Sequence, residues 1–100
     1  MDVYYLYRGE TFVWDGRKAV ENRAKHGVRF ETACEVFFDR AFAMEDASVD
    51  EETRVAVIGN TTESKLLYVV HVERKGLCLR LISARQATRR EERIYYEDRC

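Results

Sequence analysis

The sequence contains no proline, no long apolar run, and few cysteines or histidines. No stretch reaches the roughly 18 apolar residues of a membrane-spanning helix. The start of the chain also lacks the basic and apolar regions of a signal peptide. The three cysteines (Cys34, Cys78, Cys100) form no CxxC pair and no metal-ligand spacing with either histidine. We therefore expect no disulfide framework, no zinc site and no membrane segment, and a soluble protein in the cytoplasm.

The length of 100 residues, 46% of them hydrophobic, suits one domain with its own core, which we expect to span 1–100. Charge is unevenly distributed despite a formal net charge of −1. Residues 1–53 contain 7 Lys/Arg and 12 Asp/Glu, whereas residues 54–100 contain 10 and 6. A basic half suits a surface that binds a polyanion, and a solvated charged face is the alternative.

The N-terminal half predicts extended chain followed by helices. Aromatic and β-branched residues dominate the segments 3–7 and 11–14, so we expect residues 1–11 to form an extended N-terminal arm with a turn at 8–10. Asp15 is a typical helix N-cap and Gly27 a typical left-handed stop.

We therefore predict a first helix from Asp15 to about His26 and a second over about 30–38. Phe30, Ala33 and Val36 share one stripe of the second helix at helical spacing, which is typical of core residues.

The C-terminal half predicts three strands, at about 54–60, 66–74 and 77–84, and a final helix over about 86–97. A short strand at 42–44 is a further candidate. This order indicates an α+β fold in which N-terminal helices and a C-terminal helix pack on one face of an antiparallel β-sheet.

Turn lengths predict which residues are neighbours in this sheet. A two-residue turn at 75–76 pairs His71 with Arg80, and a four-residue turn at 61–64 pairs Arg54 with His71. These three side chains would form a row across three strands. The opposite face would then be the core, with Tyr68, Val70, Val72, Leu79 and Leu81.

Such a row suits phosphate chemistry. Arginines bind phosphate bidentately and stabilise negative charge that develops during attack on a phosphodiester. His71 titrates near neutral pH and can transfer a proton, and Glu73 can orient it or share that role. A surface network of ion pairs is the alternative.

Two further basic groups have open interpretations. Lys25 and His26 either contact RNA or simply complete a helix, where the helix dipole favours positive charge. The arginines of the last helix, including Arg90, either form a solvated face paired with glutamates or bind a phosphate backbone.

Several stretches, in order along residues 12–97, resemble the BrnT family. They are Trp14-Asp15-Gly16-Arg17-Lys18-Ala19, Asn22, Lys25-His26-Gly27-Val28, Phe30-Glu31-Thr32-Ala33, Arg54, Ile58-Gly59, Val69-Val70-His71-Val72-Glu73-Arg74, Arg80-Leu81-Ile82-Ser83-Ala84-Arg85, Ala87-Thr88-Arg89-Arg90-Glu91, Arg93 and Tyr95.

This resemblance implies the toxin of a bacterial type II toxin–antitoxin pair, with a RelE-like fold, that cleaves RNA without a metal or other cofactor. It also implies a BrnA-type antitoxin with a ribbon-helix-helix domain. The two proteins would form a heterotetramer that reaches operator DNA only through the antitoxin. The arm at 1–11 lies outside the resemblance.

Our leading hypothesis is a metal-independent endoribonuclease that inhibits translation and growth. The ribose 2′-OH would attack the adjacent phosphate, with acid and base roles unassigned. The predicted catalytic residues are His71, Glu73, Arg54, Arg80 and Arg85, and the predicted RNA-binding residues are Lys25, His26, Arg74 and Arg90. A non-catalytic module that binds nucleic acid or protein is the alternative, as is a toxin that has lost activity.

Overall fold

The computed structural model describes residues 1–97, in which six strands form one sheet. The elements are β1 (Asp2–Tyr7), β2 (Glu10–Asp15), α1 (Gly16–His26), α2 (Phe30–Ala33), a 3-10 segment (Cys34–Phe38), β3 (Ala43–Asp46), β4 (Val55–Asn60), β5 (Leu66–Arg74), β6 (Cys78–Gln86) and α3 (Arg89–Glu97). The strand order is β1-β2-β6-β5-β4-β3. Among the described residues no helix is long and apolar enough to cross a bilayer.

The sheet is mixed, because β2 runs parallel to β6 while every other neighbouring pair is antiparallel. The prediction of an antiparallel sheet is therefore wrong at this one junction. The chain between β2 and β6 contains α1, α2, the 3-10 segment and three strands, which is the long connection that parallel neighbours require.

The N-terminal arm belongs to the sheet as β1 and the start of β2. Arg8 and Gly9 form the two-residue turn between the two strands, with φ of +51° and +84°. Positive φ at both positions is typical of the type I′ hairpin turn, whose twist matches that of the strands. The predicted extended segments and the turn between them are confirmed.

The start and end of α1 are confirmed as predicted. The Asp15 carboxylate accepts hydrogen bonds from the backbone N–H groups of Arg17 and Lys18, at 2.8 and 3.4 Å. Gly27 has φ of +71° and donates its N–H to the carbonyl of Arg23. The second predicted helix, by contrast, is divided into α2 and the 3-10 segment.

Helices cover both faces of the sheet, which corrects the prediction that they share one face. The larger core lies under α1, α2 and the 3-10 segment, and we call this side the helical face. Its buried residues include Phe12, Trp14, Phe30, Ala33, Val36, Val57, Leu67, Val69, Leu81 and Ala84. On the second face Tyr95 of α3 packs on a smaller cluster with Ala43, Ala56, Ile58 and Tyr68.

Both turns beside β5 are one residue longer than predicted. Asn60 pairs with Leu66 across a five-residue turn, and Arg74 pairs with Cys78 across a three-residue turn. The first turn is built around the buried Thr61, whose Oγ1 accepts hydrogen bonds from the N–H groups of Glu63 and Lys65. In the second, Gly76 has φ of +68°, as the third position of a type II turn requires.

The longer turns shift both registers, so the predicted row of Arg54, His71 and Arg80 does not form. His71 instead lies opposite Val55 on one side and Leu81 on the other. Arg80 lies opposite Val72, one residue further along β5. Cross-strand partners share a face and neighbours along a strand alternate, so His71 and Arg80 lie on opposite faces.

A β-bulge in β6 accompanies this register. Val70 pairs with Ser83 and His71 with Leu81, which leaves Ile82 without a partner on β5. The extra residue keeps both Leu81 and Ala84 in the core of the helical face although three positions separate them.

His71 is therefore a core residue rather than a surface one. It is 6% exposed, and its ring meets that of Phe37 edge to face at 5.0 Å. Its Nδ1 is buried without a hydrogen-bond partner among residues 1–97. Burial lowers the pKa of His71, while a hydrogen bond to the Val55 backbone and the charge of Glu73 act in the opposite direction.

The side chain of Asn22 forms hydrogen bonds with the edge of β6 where that strand extends beyond β2. Its Nδ2 donates to the carbonyl of Ala84 at 2.8 Å, and its Oδ1 accepts from the N–H of Ala84 at 3.1 Å. A third bond joins Nδ2 to the carbonyl of Val28. The buried side chain thus takes the place of a neighbouring strand and holds α1 on the sheet.

We expect Asn22→Ala to lower the free energy of unfolding by about 2–4 kcal/mol, because it leaves buried backbone groups of Ala84 and Val28 without partners. Urea unfolding followed by circular dichroism measures the change. Glu21→Ala is the matched control on the exposed side of α1 and should change stability by less than about 0.5 kcal/mol. Equal effects of the two substitutions would contradict the role of Asn22.

We also expect stability to depend on the protonation of His71. Its pKa in the folded chain lies below the usual 6.5, so the unfolded chain binds the proton more tightly. The contribution of His71 is therefore fully present above pH 6.5 and declines as the pH falls from there towards the folded pKa.

Urea unfolding at about pH 7.5 and pH 5.5 tests this dependence. His71→Gln should flatten the change in stability between these two values, whereas His26→Gln at the end of α1 should preserve it. A decline of the same size in the His71→Gln protein would show that another group is responsible.

Candidate functional site

The second face of the sheet gathers most of the arginines that the sequence singled out. Arg80 lies opposite Val72, Arg85 opposite Tyr68, and Arg74 opposite Cys78. These positions share the face of the cluster under α3.

Two more arginines lie at the border of this face. Arg54 immediately precedes Val55, which pairs with His71 on the helical face. Because side chains alternate along the chain, Arg54 lies on the second face. Arg90 projects from α3. We call this set of five residues the arginine face.

Arg80 occupies the part of the arginine face nearest to β1. Its guanidinium donates to both carboxylate oxygens of Asp2, at 2.8 and 3.3 Å. This contact lowers the pKa of Asp2, to which the charge of Arg74 adds a smaller effect. Both side chains of the ion pair are partly exposed, so the pair is of the surface type that a competing anion can replace.

Arg54 forms a similar ion pair near the opposite edge of the sheet. Its Nε donates to the Glu52 carboxylate, which is more than half exposed. The backbone of Arg54 is fixed independently, since its N–H donates to Ser48 Oγ and its carbonyl accepts from Ala47. Arg74 lies fully on the surface at the end of β5.

Arg85 is held much more tightly than Arg80. Two of its nitrogens donate to the two oxygens of Glu91 at 2.8 and 2.9 Å, and its guanidinium lies 4.3 Å from the ring centre of Tyr68. Glu91 is only 2% exposed. Burial alone would raise the pKa of Glu91, but hydrogen bonds from Arg85 and Thr88 lower it overall, so the carboxylate stays charged.

Arg90 completes a closed network with the same residues. It donates to both oxygens of Glu45 at 3.1 and 2.9 Å and lies 3.5 Å from Glu91. Glu45 also accepts a hydrogen bond from the Tyr68 hydroxyl at 2.8 Å. Burial and this bond raise the pKa of Tyr68 to about 12, so its hydroxyl remains protonated.

The buried Glu91 is positioned by the start of α3. Thr88 Oγ1 accepts from the N–H of Glu91, and the Glu91 carboxylate accepts from the N–H of Thr88. This reciprocal pair is a capping box, and its signature Thr-x-x-Glu is visible at 88–91. The helix was predicted to start near Gln86, and the signature corrects that start to Arg89. The same signature could have identified Glu91 in the sequence as a capping residue.

The other predicted site residues lie away from the arginine face. His71 is in the core of the helical face, and Glu73 pairs with Leu79 on that same side, where it is exposed. Lys25 and His26 lie in the last turn of α1, beside a shallow groove that Ile82 also lines. The structure therefore brings the arginines together but separates them from both predicted proton-transfer residues.

This arrangement can hold phosphate groups along one side of the sheet. Arg54, Arg74 and Arg80 are partly or fully exposed, and guanidinium groups bind phosphate oxygens through paired hydrogen bonds. Among residues 1–97 no three His, Cys, Asp or Glu side chains are arranged to hold a metal ion.

Comparisons with known proteins place this geometry in context. Residues 14–91 match the family described as the ribonuclease toxin BrnT of type II toxin–antitoxin systems. The match includes all five residues of the arginine face and leaves out β1. No curated protein matches the chain.

A solved structure agrees with the family match. The crystal structure of the Brucella abortus ribonuclease toxin BrnT aligns with a TM-score of 0.59 and 26% sequence identity, over 76% of this chain and 94% of that chain. The α+β sheet with its helices thus has a counterpart of known structure. With more than three quarters of its residues matched by the family, the chain belongs to the BrnT family of ribonuclease toxins of type II toxin–antitoxin systems.

Proposed function

We propose that the chain is an endoribonuclease whose arginine face binds RNA, and that cleavage of RNA inhibits translation and growth. The observation that carries this proposal is the convergence of arginines from β5, β6 and α3 on one side of the sheet. Family membership supports the reaction class, and the exposed guanidinium groups support phosphate as the recognised group.

In this proposal the ribose 2′-OH loses its proton and attacks the adjacent phosphate to form a 2′,3′-cyclic phosphate. The bond from phosphorus to the 5′-oxygen of the next nucleotide breaks, and that oxygen takes up a proton from water. Arg80 is the first candidate to stabilise the negative charge of the transition state, because only a surface ion pair with Asp2 has to be exchanged for phosphate. Arg54 and Arg74 bind flanking phosphates. Arg85 acts indirectly, since its bonds to Glu91 hold α3 in place.

We exclude His71 as the group that accepts the proton from the 2′-OH. It is 6% exposed in the core of the helical face, whereas Arg80 lies on the opposite face of the sheet.

We further propose that the partner is a BrnA-type antitoxin with a ribbon-helix-helix domain. Support comes from the family, whose members are toxins of type II pairs and therefore have an antitoxin. A heterotetramer would bind operator DNA through the antitoxin, while the toxin chain itself contacts RNA.

Arg80→Ala should reduce the rate of RNA cleavage by about 10²–10³, as expected when one charge-stabilising group is removed. The slope of log affinity against log salt for a single-stranded RNA should fall by about 0.7. Arg23→Ala on the exposed side of α1 removes the same charge elsewhere and should leave cleavage nearly unchanged. Purified protein and a labelled RNA measure both quantities.

The same assay tests the exclusion of His71. Folded His71→Gln protein should retain activity, because the imidazole is buried on the face opposite to Arg80. Loss of activity in His71→Gln with Arg80→Ala unaffected would overturn the assignment to the arginine face. Intact cellular RNA at growth arrest would instead favour a non-catalytic binding module.

Asp2→Asn should strengthen RNA binding by about two- to fivefold, because it removes an exposed ion pair that competes for Arg80. Glu21→Gln on α1 makes the same change in net charge at a distance. A similar gain in both variants would attribute the effect to net charge and contradict a specific contact between Asp2 and Arg80.

A further inference from the structure

The outer edge of β1 is an unprotected strand edge. β1 is the first strand of the sheet, and among residues 1–97 it has a neighbouring strand only on the side of β2. Its pairing with β2 is continuous from Asp2 to Tyr7, and residues 3–7 contain no charge and no proline. Natural proteins usually protect such edges with charges, prolines or bulges, because free backbone groups recruit another strand.

The hydrogen bonds of β1 show which backbone groups face outwards. The Met1 carbonyl accepts from the N–H of Gly16, and the hairpin closes at Tyr7 and Glu10. Odd-numbered residues of β1 therefore bond to β2, and the N–H and C=O groups of Asp2, Tyr4 and Leu6 point away from the sheet. The side chains of Tyr4 and Leu6 are also 69% and 71% exposed.

We propose that β1 pairs with β1 of a second copy of this chain, antiparallel and about a two-fold axis. The register that uses all three outward residues places Tyr4 opposite Tyr4 of the second copy. Asp2 then lies opposite Leu6 of that copy, and Leu6 opposite its Asp2. Such an isologous contact closes on itself and forms a dimer.

A second copy fits this edge because the strand is complementary to itself in that register. Tyr4 meets Tyr4 and Val3 meets Tyr5 of the second copy, and the two Asp2 carboxylates lie roughly 13 Å apart along the strands. Each Asp2 is also neutralised by Arg80 of its own chain.

The other sheet edge lacks this property. β3 is only four residues long and ends in Glu45-Asp46, and the acidic segment that follows contains Asp50, Glu51 and Glu52. Two copies of β3 would bring like charges together, which protects that edge in the usual way.

Pairing through β1 joins two six-stranded sheets into one continuous sheet. Directly opposite residues in an antiparallel pair share a face, so the two arginine faces lie on the same side. The dimer thus presents two arginine faces side by side. Their use as one RNA-binding surface rests on the proposed function, whereas the pairing of the strands does not.

Sedimentation analysis of the purified full chain over a range of concentrations tests the proposal. Wild-type protein should be a dimer that dissociates on dilution. Tyr4→Lys places like charges directly across the axis and should raise the dissociation constant at least about tenfold. Val20→Lys changes an equally exposed apolar residue on α1 and should leave the dimer intact. A wild-type monomer at every concentration, or assemblies larger than a dimer, would overturn the proposal.

Engineered cysteines test the register. In a Cys78→Ser, Cys100→Ser background, Tyr4→Cys should form an intermolecular disulfide rapidly on mild oxidation, since opposite Cα atoms of a hydrogen-bonded pair lie about 5.5 Å apart. Leu6→Cys is the matched control, because the two Leu6 positions are separated by roughly 13 Å along the strands. Equal rates of cross-linking would contradict the proposed register.

Hydrogen exchange identifies the occupant of the edge. In the dimer the amides of Tyr4 and Leu6 should be protected, and Tyr4→Lys should remove this protection while the amides of Tyr5 and Tyr7 stay protected by β2. Protection of Tyr4 and Leu6 that occurs only after addition of the antitoxin would assign the edge to that partner and reject the second copy.

Discussion

The alternation of side chains along β5 is the constraint on which the rest of the structure depends. β5 lies between β6 and β4, so the face taken by each of its residues fixes the faces of both neighbouring strands. Leu67, Val69 and His71 enter the core under α1 and α2, which assigns Tyr68 and Val72 to the second face. Arg80 and Arg85 follow these two partners. The same alternation along β5 therefore buries His71 and places Arg80 and Arg85 together on the second face.

The closed network of Glu45, Arg90, Glu91, Arg85 and Tyr68 divides the arginine face into two parts. Glu91 is almost fully buried, and such a carboxylate is tolerated only with strong, well-aligned partners, here the two bonds from Arg85 and the capping contact with Thr88. Arg85 and Arg90 therefore hold α3 on the sheet. Within the part of the chain that the structure describes, Arg54 and Arg80 pair with exposed carboxylates and Arg74 with no buried one, which supports their proposed role in binding RNA.

Local signals in the sequence predicted the helices and strands well. The prediction of which side chains share a face of the sheet was wrong, because it depends on tertiary contacts. The two ends of α1 were predictable from Asp15 and Gly27, because capping depends on residues close in the sequence. β5 has apolar residues at both parities, so its pattern cannot say which face is the core. The five-residue turn at 61–65 is stabilised by the buried Thr61 and by a hydrogen bond from Thr62 to Glu35. Glu35 is distant in the sequence, so the turn length could not be predicted locally.

The hairpin strand β1 connects an element outside the family match to the arginine face within it. Asp2 has its backbone groups on the outer edge of the sheet and its carboxylate on Arg80. Because backbone and side chain point in perpendicular directions, strand pairing at the edge and the ion pair on the face do not compete. An RNA phosphate that displaced Asp2 from Arg80 would leave the strand itself in place. The proposed pairing at the edge and the proposed binding at the arginine face can therefore occur at the same time, and the carboxylate of Asp2 links the two sites.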